Sequence, residues 1–436
     1  MKNLKYSKFT LINLIVVSII PLLIWGPFFP DLILSVSTLF FLIYLFKKKT
    51  FFFFNNKLLI TFFIFCVYCI LLSFLVAEDK ILSFQSSLFY FRIGVFSCFI
   101  WFLINRDKRI LTYFYYVLIL CFLILIIDGY IQFFNGQNIF GMSKGHHSRV
   151  SSLFGDELIM GSYLSRLFPL FFALFIIKKK QKFESYLVGV IFILIDVLIF
   201  ISGERTSFLF LNLSTIFIII LIKDYKIFRL ITFMLAMLCI IFLSLNDLKL
   251  GNRMFNKIAN DMGLETMDKK LNELGLNSNP NLVMEKSNKL IFFSKAHDSL
   301  IRTAYKMFED KPLVGHGPKM FRVMCSNEKY QVGEKPCDIH PHNFYVQLLA
   351  ETGIIGFLFL FSAFIGLVYI SIKQFISIIL KKKRPLTDYQ VCLLACLLIT
   401  LWPISPNGNF FNNWLMIIYS LPVGFYLQSV YSKIKA

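Results

Sequence analysis

Charged residues are scarce in this sequence. They make up 16% of its 436 residues, whereas 57% are hydrophobic. A soluble globular protein has roughly 25% charged residues. Here the apolar residues come in nearly unbroken runs of about 15–20, close to the length that crosses a bilayer as a helix. The composition therefore excludes an ordinary soluble domain and predicts an all-α, polytopic membrane protein. The clearest runs are 10–29, 58–76, 110–127, 187–201, 230–245 and 353–370.

A signal-peptide cleavage site is also lacking. Lys2, Lys5 and Lys8 precede the first apolar run, as they would in a signal peptide. However, the run is too long for one, and no small-residue cleavage site follows it. We expect a retained first span and about twelve spans in all. These are 10–29, 31–46, 58–76, 85–104, 110–133, 158–177, 186–202, 207–222, 227–246, 344–372, 386–403 and 412–430.

Basic residues alternate between the connections, and this alternation gives the predicted orientation. Every second connection is rich in Lys or Arg, as in Lys47-Lys48-Lys49 and Lys381-Lys382-Lys383-Arg384, whereas the short ones between them carry few. Short connections rich in Lys and Arg stay in the cytoplasm. Both termini are therefore predicted to be cytoplasmic. Spans one to nine then occupy 1–246, a large outward loop between spans nine and ten occupies 247–343, and spans ten to twelve occupy 344–436.

The net charge of +20 follows largely from these connections. A nucleic-acid-binding protein gathers its basic residues on one soluble face, so nucleic acid is not an expected partner. Anionic lipid head groups are the expected neighbours. The sequence does not indicate an oligomeric state.

The outward loop contains a predicted helix, 299–309, with Asp298 or Ser299 as its cap. Its expected apolar face is formed by Ile301, Ala304, Tyr305 and Phe308.

Two of the nine cysteines, Cys325 and Cys337, lie in this loop. In an oxidising compartment they are expected to form a disulfide. A metal-binding pair is the alternative, but their spacing is not C-x₂-C.

Two histidines and an asparagine lie where the outward loop meets span ten. Histidine acts as a general base near neutral pH without a large pKa shift. An isolated loop histidine more often only hydrogen-bonds to the backbone, but His340 and His342 occur together beside Asn343. The H-x-H spacing also permits a metal site. Apart from Asp338, no third ligand is evident nearby, so no metal is predicted.

Three arginines are candidates for binding an anion on the same side. Arg205 lies at an outer edge where the topology otherwise avoids positive charge, and Arg302 and Arg149 lie in outward segments. The simpler explanation for Arg205 is a salt bridge to Glu204 or contact with lipid phosphate. For Arg302 it is a solvated helix face, and Arg149 is the weakest of the three candidates. A guanidinium is nevertheless a rigid fork that matches phosphate oxygens. Outward arginines beside a histidine suit an anionic, lipid-linked substrate.

Three segments together resemble a known family. They are Gly203-Glu-Arg205-Thr, then Pro312-Leu-Val-Gly-His-Gly317 after Arg302, then His340-Pro-His342-Asn343 followed by Glu351-Thr-Gly353. With twelve spans and one large outer loop before the last three, they are similar to the O-antigen ligase and polymerase superfamily. The resemblance covers roughly residues 130–430.

The resemblance implies a glycosyltransferase of the bacterial inner membrane. Such enzymes move a glycan from undecaprenyl diphosphate to an acceptor hydroxyl at the periplasmic face, with no metal, nucleotide sugar or other cofactor. It assigns the base to His342, for which His340 could substitute, and diphosphate binding to Arg205 and Arg302. The complete predicted site comprises His342, His340, Asn343 and Glu351 for catalysis, and Arg205, Arg302 and Arg149 for the substrate.

The pattern leaves the acceptor open. Ligation to lipid A-core is the leading interpretation, and polymerisation of O-units by the same superfamily is nearly as well supported. A secondary transporter is the alternative from another class, because twelve spans are common among transporters. Transporters usually show repeated halves, and the two halves of this sequence show no comparable similarity. A purely structural scaffold would not explain the outward arginines and the histidine pair.

Overall fold

The computed structural model describes residues 2–51, 56–178, 182–256, 291 and 293–431. Helices dominate these residues, and the only β-structure among them consists of isolated bridges such as Gln137 with Ser143. Much of the predicted outward loop, residues 257–290, lies outside the described residues.

The helices are numbered in chain order. They are α1 (Lys2–Val17), α2 (Ile19–Trp25), α3 (Phe28–Lys48), α4 (Lys57–Leu75), α5 (Lys80–Leu88), α6 (Phe91–Arg106), α7 (Arg109–Asn135), α8 (Met160–Ile177), α9 (Lys182–Ile201), α10 (Arg205–Leu221), α11 (Lys226–Asn246), α12 (Leu248–Gly251), α13 (Lys295–Asp310), α14 (Phe321–Met324), α15 (Phe344–Ile379), α16 (Asp388–Leu401) and α17 (Asn413–Tyr431).

Apolar helices occupy the positions of the predicted spans. Within the described part of the chain, nine stretches of helix are long and apolar enough to cross a membrane. Three shorter apolar helices, Thr10–Trp25, Arg205–Leu221 and Asp388–Leu401, lie at three further predicted positions. This architecture is consistent with a polytopic membrane protein, and the count of twelve spans stays a prediction.

The first predicted connection is wrong. The sequence predicted a break at Pro30-Asp31, but the chain turns at Gly26, where φ is 128°, and α3 already begins at Phe28. Proline is tolerated in the first turn of a helix because its missing N–H would have no intrahelical partner there. Asp31 then lies inside α3 and pairs with Arg92 of α6 at 2.8 Å.

The connections lie at two ends of the bundle. The backbone N–H groups of Lys223 and Asp224 donate to the Asp388 carboxylate at 2.9 and 2.7 Å, so the end of α10 meets the start of α16. The other termini of α10 and α16, at Arg205 and Leu401, therefore lie together at the opposite end. We call this second end the site end, because the predicted site residues lie there. The basic connections that follow α15 and α6 lie at the Lys223 end, because Gln374 of α15 donates to the Leu221 carbonyl and the end of α17 contacts both Gln390 and Asn105.

Helix α13 differs in detail from the helix predicted at 299–309. It begins at Lys295, and its cap is Ser294, whose hydroxyl accepts a hydrogen bond from the His297 N–H. Its buried face is formed by Leu300, Thr303, Ala304 and Met307, whereas Tyr305 is 51% exposed. The helix has two overlapping sets of apolar residues with helical spacing, one that includes Leu300 and Met307 and one that includes Ile301 and Phe308. Packing against the rest of the protein buries the first set.

The orientation in the membrane can be tested with reporter fusions. Fusions at Lys48 and Lys382 are expected to report cytoplasm, and fusions at Ser326 and Asn407 are expected to report periplasm, because clustered basic residues are retained inside. Alkaline phosphatase and green fluorescent protein fusions measure the two sides independently. A cytoplasmic result at Asn407 would place the site end on the wrong side for a lipid-linked donor presented outside.

Candidate functional site

Asn343 fixes the start of helix α15. Its side-chain oxygen accepts hydrogen bonds from the backbone N–H groups of Tyr345 and Val346 at 3.0 and 3.1 Å. This is the favoured role of Asn at a helix N-cap. Its amide nitrogen donates to the carbonyls of Pro403 and Ser405 at 2.8 and 3.2 Å. One buried side chain therefore holds the histidine segment against the turn that follows α16.

The two histidine rings lie beside each other, with centroids 4.1 Å apart. His342 adopts a left-handed backbone conformation, with φ at 55°, which is uncommon for a residue other than glycine. Its Nε2 lies 3.4 Å from Oδ2 of Asp338, and its side chain is 32% exposed. Because a proline favours an extended conformation in the residue before it, the sequence predicts that Pro341 turns the His340 side chain away from His342. That prediction is wrong, because the reversed backbone at His342 brings the rings together.

His340 is much less accessible than His342. It is 7% exposed, and within the described part of the chain neither ring nitrogen has a hydrogen-bond partner of good geometry, although the Asn407 backbone lies close enough to raise its pKa. Burial, followed by the charge of the neighbouring His342, lowers the pKa of His340 to about 4. Its imidazole is therefore neutral at neutral pH.

A break in α15 anchors the polar segment to the bundle. The helix is interrupted at Gly353, where φ is 66°. The N–H groups of His316 and Gly317 donate to the carbonyls of Ala350 and Glu351 at 3.0 and 2.8 Å, and the N–H of Ile354 donates to Pro312. A Cβ atom at Gly315 would lie 2.5 Å from the backbone of Glu351. Gly315 and Gly353 are therefore required, because the backbone of each segment packs directly against the backbone of the other.

Glu351 is fully buried beside this break. Its carboxylate accepts hydrogen bonds from the Phe321 N–H at 3.1 Å and from the Gln347 amide at 3.0 Å. Gln347 in turn contacts Asn409 and accepts from the Phe410 N–H. Glu351 thus connects three segments of the site end. The catalytic part predicted for it stays a prediction.

Three arginines surround the turn between α9 and α10. Arg149 donates to the Ser202 carbonyl at 3.3 Å, and Arg253 donates to the Gly203 carbonyl at the same distance. Arg205 begins α10. Burial, together with the charges of Arg149 and Arg205, lowers the pKa of Arg253 to about 10. We call Arg149, Arg205 and Arg253 the arginine cluster.

Glu204 lies within the arginine cluster and is buried. It accepts hydrogen bonds from the N–H groups of Gly161 and Ser162, at 2.6 and 2.9 Å, at the start of α8. The positive end of a helix dipole and a nearby guanidinium both stabilise a carboxylate. Burial nevertheless raises the pKa of Glu204, while Arg149 opposes that shift. Glu204 thereby ties α8 to the turn that carries Arg205.

Arg302 lies with the histidines rather than within the arginine cluster. It pairs with Asp298 one turn earlier on α13, at 2.6 Å. It also lines a cleft of about 660 Å³ together with Tyr305, Val346 and Asn343. The His297 ring, on the same helix, lies 5.2 Å from the His342 ring. The cleft is mostly apolar with a few polar groups, which is typical of ligand-binding pockets.

Residues 187–361 match the family model described as O-Antigen ligase. The resemblance to the O-antigen ligase and polymerase superfamily is confirmed. No curated protein matches the chain at a significant level. The matched O-antigen ligase domain extends from α9 through the first part of α15. It includes Arg205, Arg302, both histidines, Asn343 and Glu351, whereas Arg149 precedes it.

The structure thus divides the predicted site residues into two groups at the site end. His340, His342, Asn343, Glu351 and Arg302 form one group, and Arg149 joins Arg205 in the other. Among the described residues, no group of three or more His, Cys, Asp or Glu side chains is arranged to hold a metal ion. The expected independence from metal stays a prediction.

Three basic residues at the site end, Arg253, Lys319 and Arg322, were not predicted from the sequence as site residues. Arg253 follows α11 at the site end, so the argument applied to Arg205, a cation where the topology avoids positive charge, would have found it. Lys319 and Arg322 lie in a basic polar loop, where sequence alone does not distinguish them from solvated cations. Their proximity to the buried Glu351 becomes evident only in the structure.

Cys325 and Cys337 are joined in the structure, with their Cα atoms 5.0 Å apart. The bond connects the end of α14 to the segment that carries the histidines. In addition, Cys325 Sγ lies 3.8 Å from the Asp338 carbonyl. We expect this crosslink to hold α14 beside His340 and His342.

The disulfide can be tested by differential thiol labelling. Free thiols in oxidised membranes are blocked, disulfides are reduced, and the new thiols are labelled with a mass-tagged maleimide. We expect two tags on the wild type and none on the Cys325→Ser/Cys337→Ser protein, in which the other seven cysteines serve as the control. Loss of a crosslink between residues this far apart destabilises by on the order of 3 kcal/mol. An untagged wild type would refute the pairing.

Proposed function

We propose that the protein is a membrane glycosyltransferase that moves a glycan from undecaprenyl diphosphate to the hydroxyl of lipid A-core. The O-antigen ligase domain supports this class of enzyme. The proposal places the reaction at the periplasmic face of the bacterial inner membrane, with both termini in the cytoplasm. It requires no metal and no cofactor.

The observation that carries the proposal is the accessible imidazole of His342 beside the Asp338 carboxylate. A base needs a lone pair that faces substrate and a second group that orients the ring. Asp338 can orient the ring, and the 32% exposure of His342 leaves it open to an acceptor. His340 is less suited because it is 7% exposed.

In the proposed reaction, His342 removes the proton from the acceptor hydroxyl. The hydroxyl oxygen then bonds to the anomeric carbon of the donor glycan. The bond from that carbon to the diphosphate oxygen breaks, and undecaprenyl diphosphate leaves with the electron pair. The negative charge that develops on the leaving group is stabilised by guanidinium groups, for which Arg205, Arg149 and Arg302 are the candidates.

Polymerisation is the alternative within the same superfamily. A polymerase uses a second lipid-linked glycan as the acceptor, and the same base and the same diphosphate contacts serve that reaction. The two activities differ in which acceptor they require. Reconstitution with donor alone, and with donor plus lipid A-core, therefore separates them: a polymerase lengthens the lipid-linked glycan in the first mixture, and a ligase forms product only in the second.

His342→Ala is expected to lower transfer about 10²–10⁴-fold, which is the usual effect of removing a general base. His340→Ala is expected to leave partial activity because that ring is buried. Transfer is measured in the two mixtures above, and immunoblotting checks that each variant accumulates in membranes. Normal product from His342→Ala with none from His340→Ala would move the base to His340. Normal product from both would favour the transporter.

Arg205→Lys is expected to impair transfer severely, because lysine keeps the charge but loses the two-pronged contact with phosphate. Arg205→Ala should cost at least about 2 kcal/mol of transition-state stabilisation, measured as the change in kcat/KM. Arg106→Lys is the matched control, because Arg106 ends α6 at the opposite end of the bundle and contacts Tyr44. Full activity of Arg205→Lys would show that Arg205 acts in lipid contact or topology.

A further inference from the structure

Three buried nitrogen atoms near the histidine pair have no hydrogen-bond partner among the residues that the structure describes. They are Nδ1 and Nε2 of His340 and Nε of Arg322. Buried polar atoms are almost always paired in native proteins, because leaving one unpaired is costly. His340 is more than nine-tenths buried, so solvent at the surface does not explain both of its ring nitrogens. Unpaired polar atoms in one neighbourhood, of which the Arg322 Nε–H and one imidazole N–H are donors, indicate a group that binds there.

Contacts at both ends of α14 hold Arg322 and His340 in place. Arg322 lies on α14, and the N–H of the preceding Phe321 is bound by Glu351 at 3.1 Å. The other end of α14 is joined by the disulfide between Cys325 and Cys337 to the segment that carries His340. Arg322 lies close enough to His340 for its positive charge to lower the pKa of that ring.

Lys319 adds a second cation. Its backbone is left-handed, with φ at 61°. Such strain in a residue other than glycine occurs preferentially at functional sites. Lys319 is half-buried, and burial lowers the pKa of its ammonium group, with the charge of Arg322 lowering it further.

Of the described carboxylates nearby, neither Glu351 nor Asp338 pairs with Arg322 Nε. The oxygens of Glu351 accept from the Phe321 N–H and the Gln347 amide. Asp338 Oδ2 lies next to His342 at 3.4 Å, and Oδ1 accepts from the Ile339 N–H. An arginine, a lysine and a neutral imidazole N–H together offer donors suited to the oxygens of a phosphate.

We propose that Lys319, Arg322 and His340 form a phosphate-binding subsite beside His342, separate in its residues from the arginine cluster. The inference rests on the proposed function, because the phosphate belongs to one of the two substrates. It is either the diphosphate of the lipid-linked donor or a phosphate group on the acceptor glycan. In both cases the subsite holds that substrate next to the base.

Binding can be measured at His340 itself by hydrogen exchange at its ring carbon, followed by mass spectrometry of the full-length protein in lipid nanodiscs. Inorganic phosphate is the probe. We expect phosphate to raise the pKa of His340 in the wild type, because a bound anion favours the charged ring. Arg322→Gln and Lys319→Gln should abolish that shift, whereas Lys329→Gln should retain it. Lys329 is the matched control because it lies in the same loop and pairs with Asp310.

An unchanged His340 pKa in the wild type would overturn the subsite, as would a full shift in both Arg322→Gln and Lys319→Gln. Two variants are used in case Arg322→Gln misfolds. Lys319 is half-exposed, so Lys319→Gln is expected to disturb the packing of the protein less. This measurement does not depend on transfer. A phosphate shift that requires Arg322, in a protein that transfers no glycan, would support the subsite and refute the proposed function.

Kinetics then identify the source of the phosphate. Arg322→Gln is expected to raise one KM at least about tenfold, because one charged hydrogen bond contributes about 1.5–3 kcal/mol. A higher KM for the lipid-linked donor indicates its diphosphate, and a higher KM for the acceptor indicates a phosphate on the acceptor. Unchanged kinetic constants in Arg322→Gln and Lys319→Gln, with His342→Ala inactive, would refute the subsite and leave the proposed function standing.

Discussion

The site end depends on a backbone exchange between two distant segments. The interruption of α15 at Gly353 frees the carbonyls of Ala350 and Glu351, which would be costly to leave unpaired in a buried position. The N–H groups of His316 and Gly317 satisfy them. This exchange fixes the start of α14, and the disulfide at the other end of α14 then fixes the histidine segment. The interruption of α15, together with the hydrogen bonds that satisfy its free carbonyls, therefore positions α14 and the histidine segment relative to each other.

A membrane protein gains from building a site in this way. Irregular backbone is tolerated at membrane depth only where protein groups or water satisfy its hydrogen bonds. The segment from Pro312 to Gly317 supplies those bonds and also leads directly to Lys319 and Arg322. The polar face of the site end is consequently made from the same residues that complete the broken helix. Asn343 performs the matching task at the start of α15, where it binds both the helix and the turn after α16.

The sequence predicted correctly those features that depend on the residues of one short segment. Apolar runs predicted helices at the twelve span positions, and the motif at His342 predicted the family. It did not predict features that depend on contacts with residues far away in the chain. The break at Gly353 depends on a segment about forty residues earlier. The buried face of α13 depends on which of two stripes meets its neighbours, and Arg322 differs from a solvated cation only because Glu351 and His340 lie beside it.

The arginine cluster has a rigid support deeper in the bundle. Arg229 of α11 and Asp196 of α9 are both fully buried and form a two-pronged ion pair at 2.8 and 3.1 Å, and Arg229 also donates to Thr215 of α10. Charges inside a membrane are costly unless paired, and removing one partner leaves the other uncompensated. The pair therefore locks together the three helices whose ends at the site carry Arg205 and Arg253. Guanidinium groups stabilise a developing charge best when their positions are fixed beforehand, and this ion pair fixes α9 and α10, which flank the turn that carries Arg205, to each other.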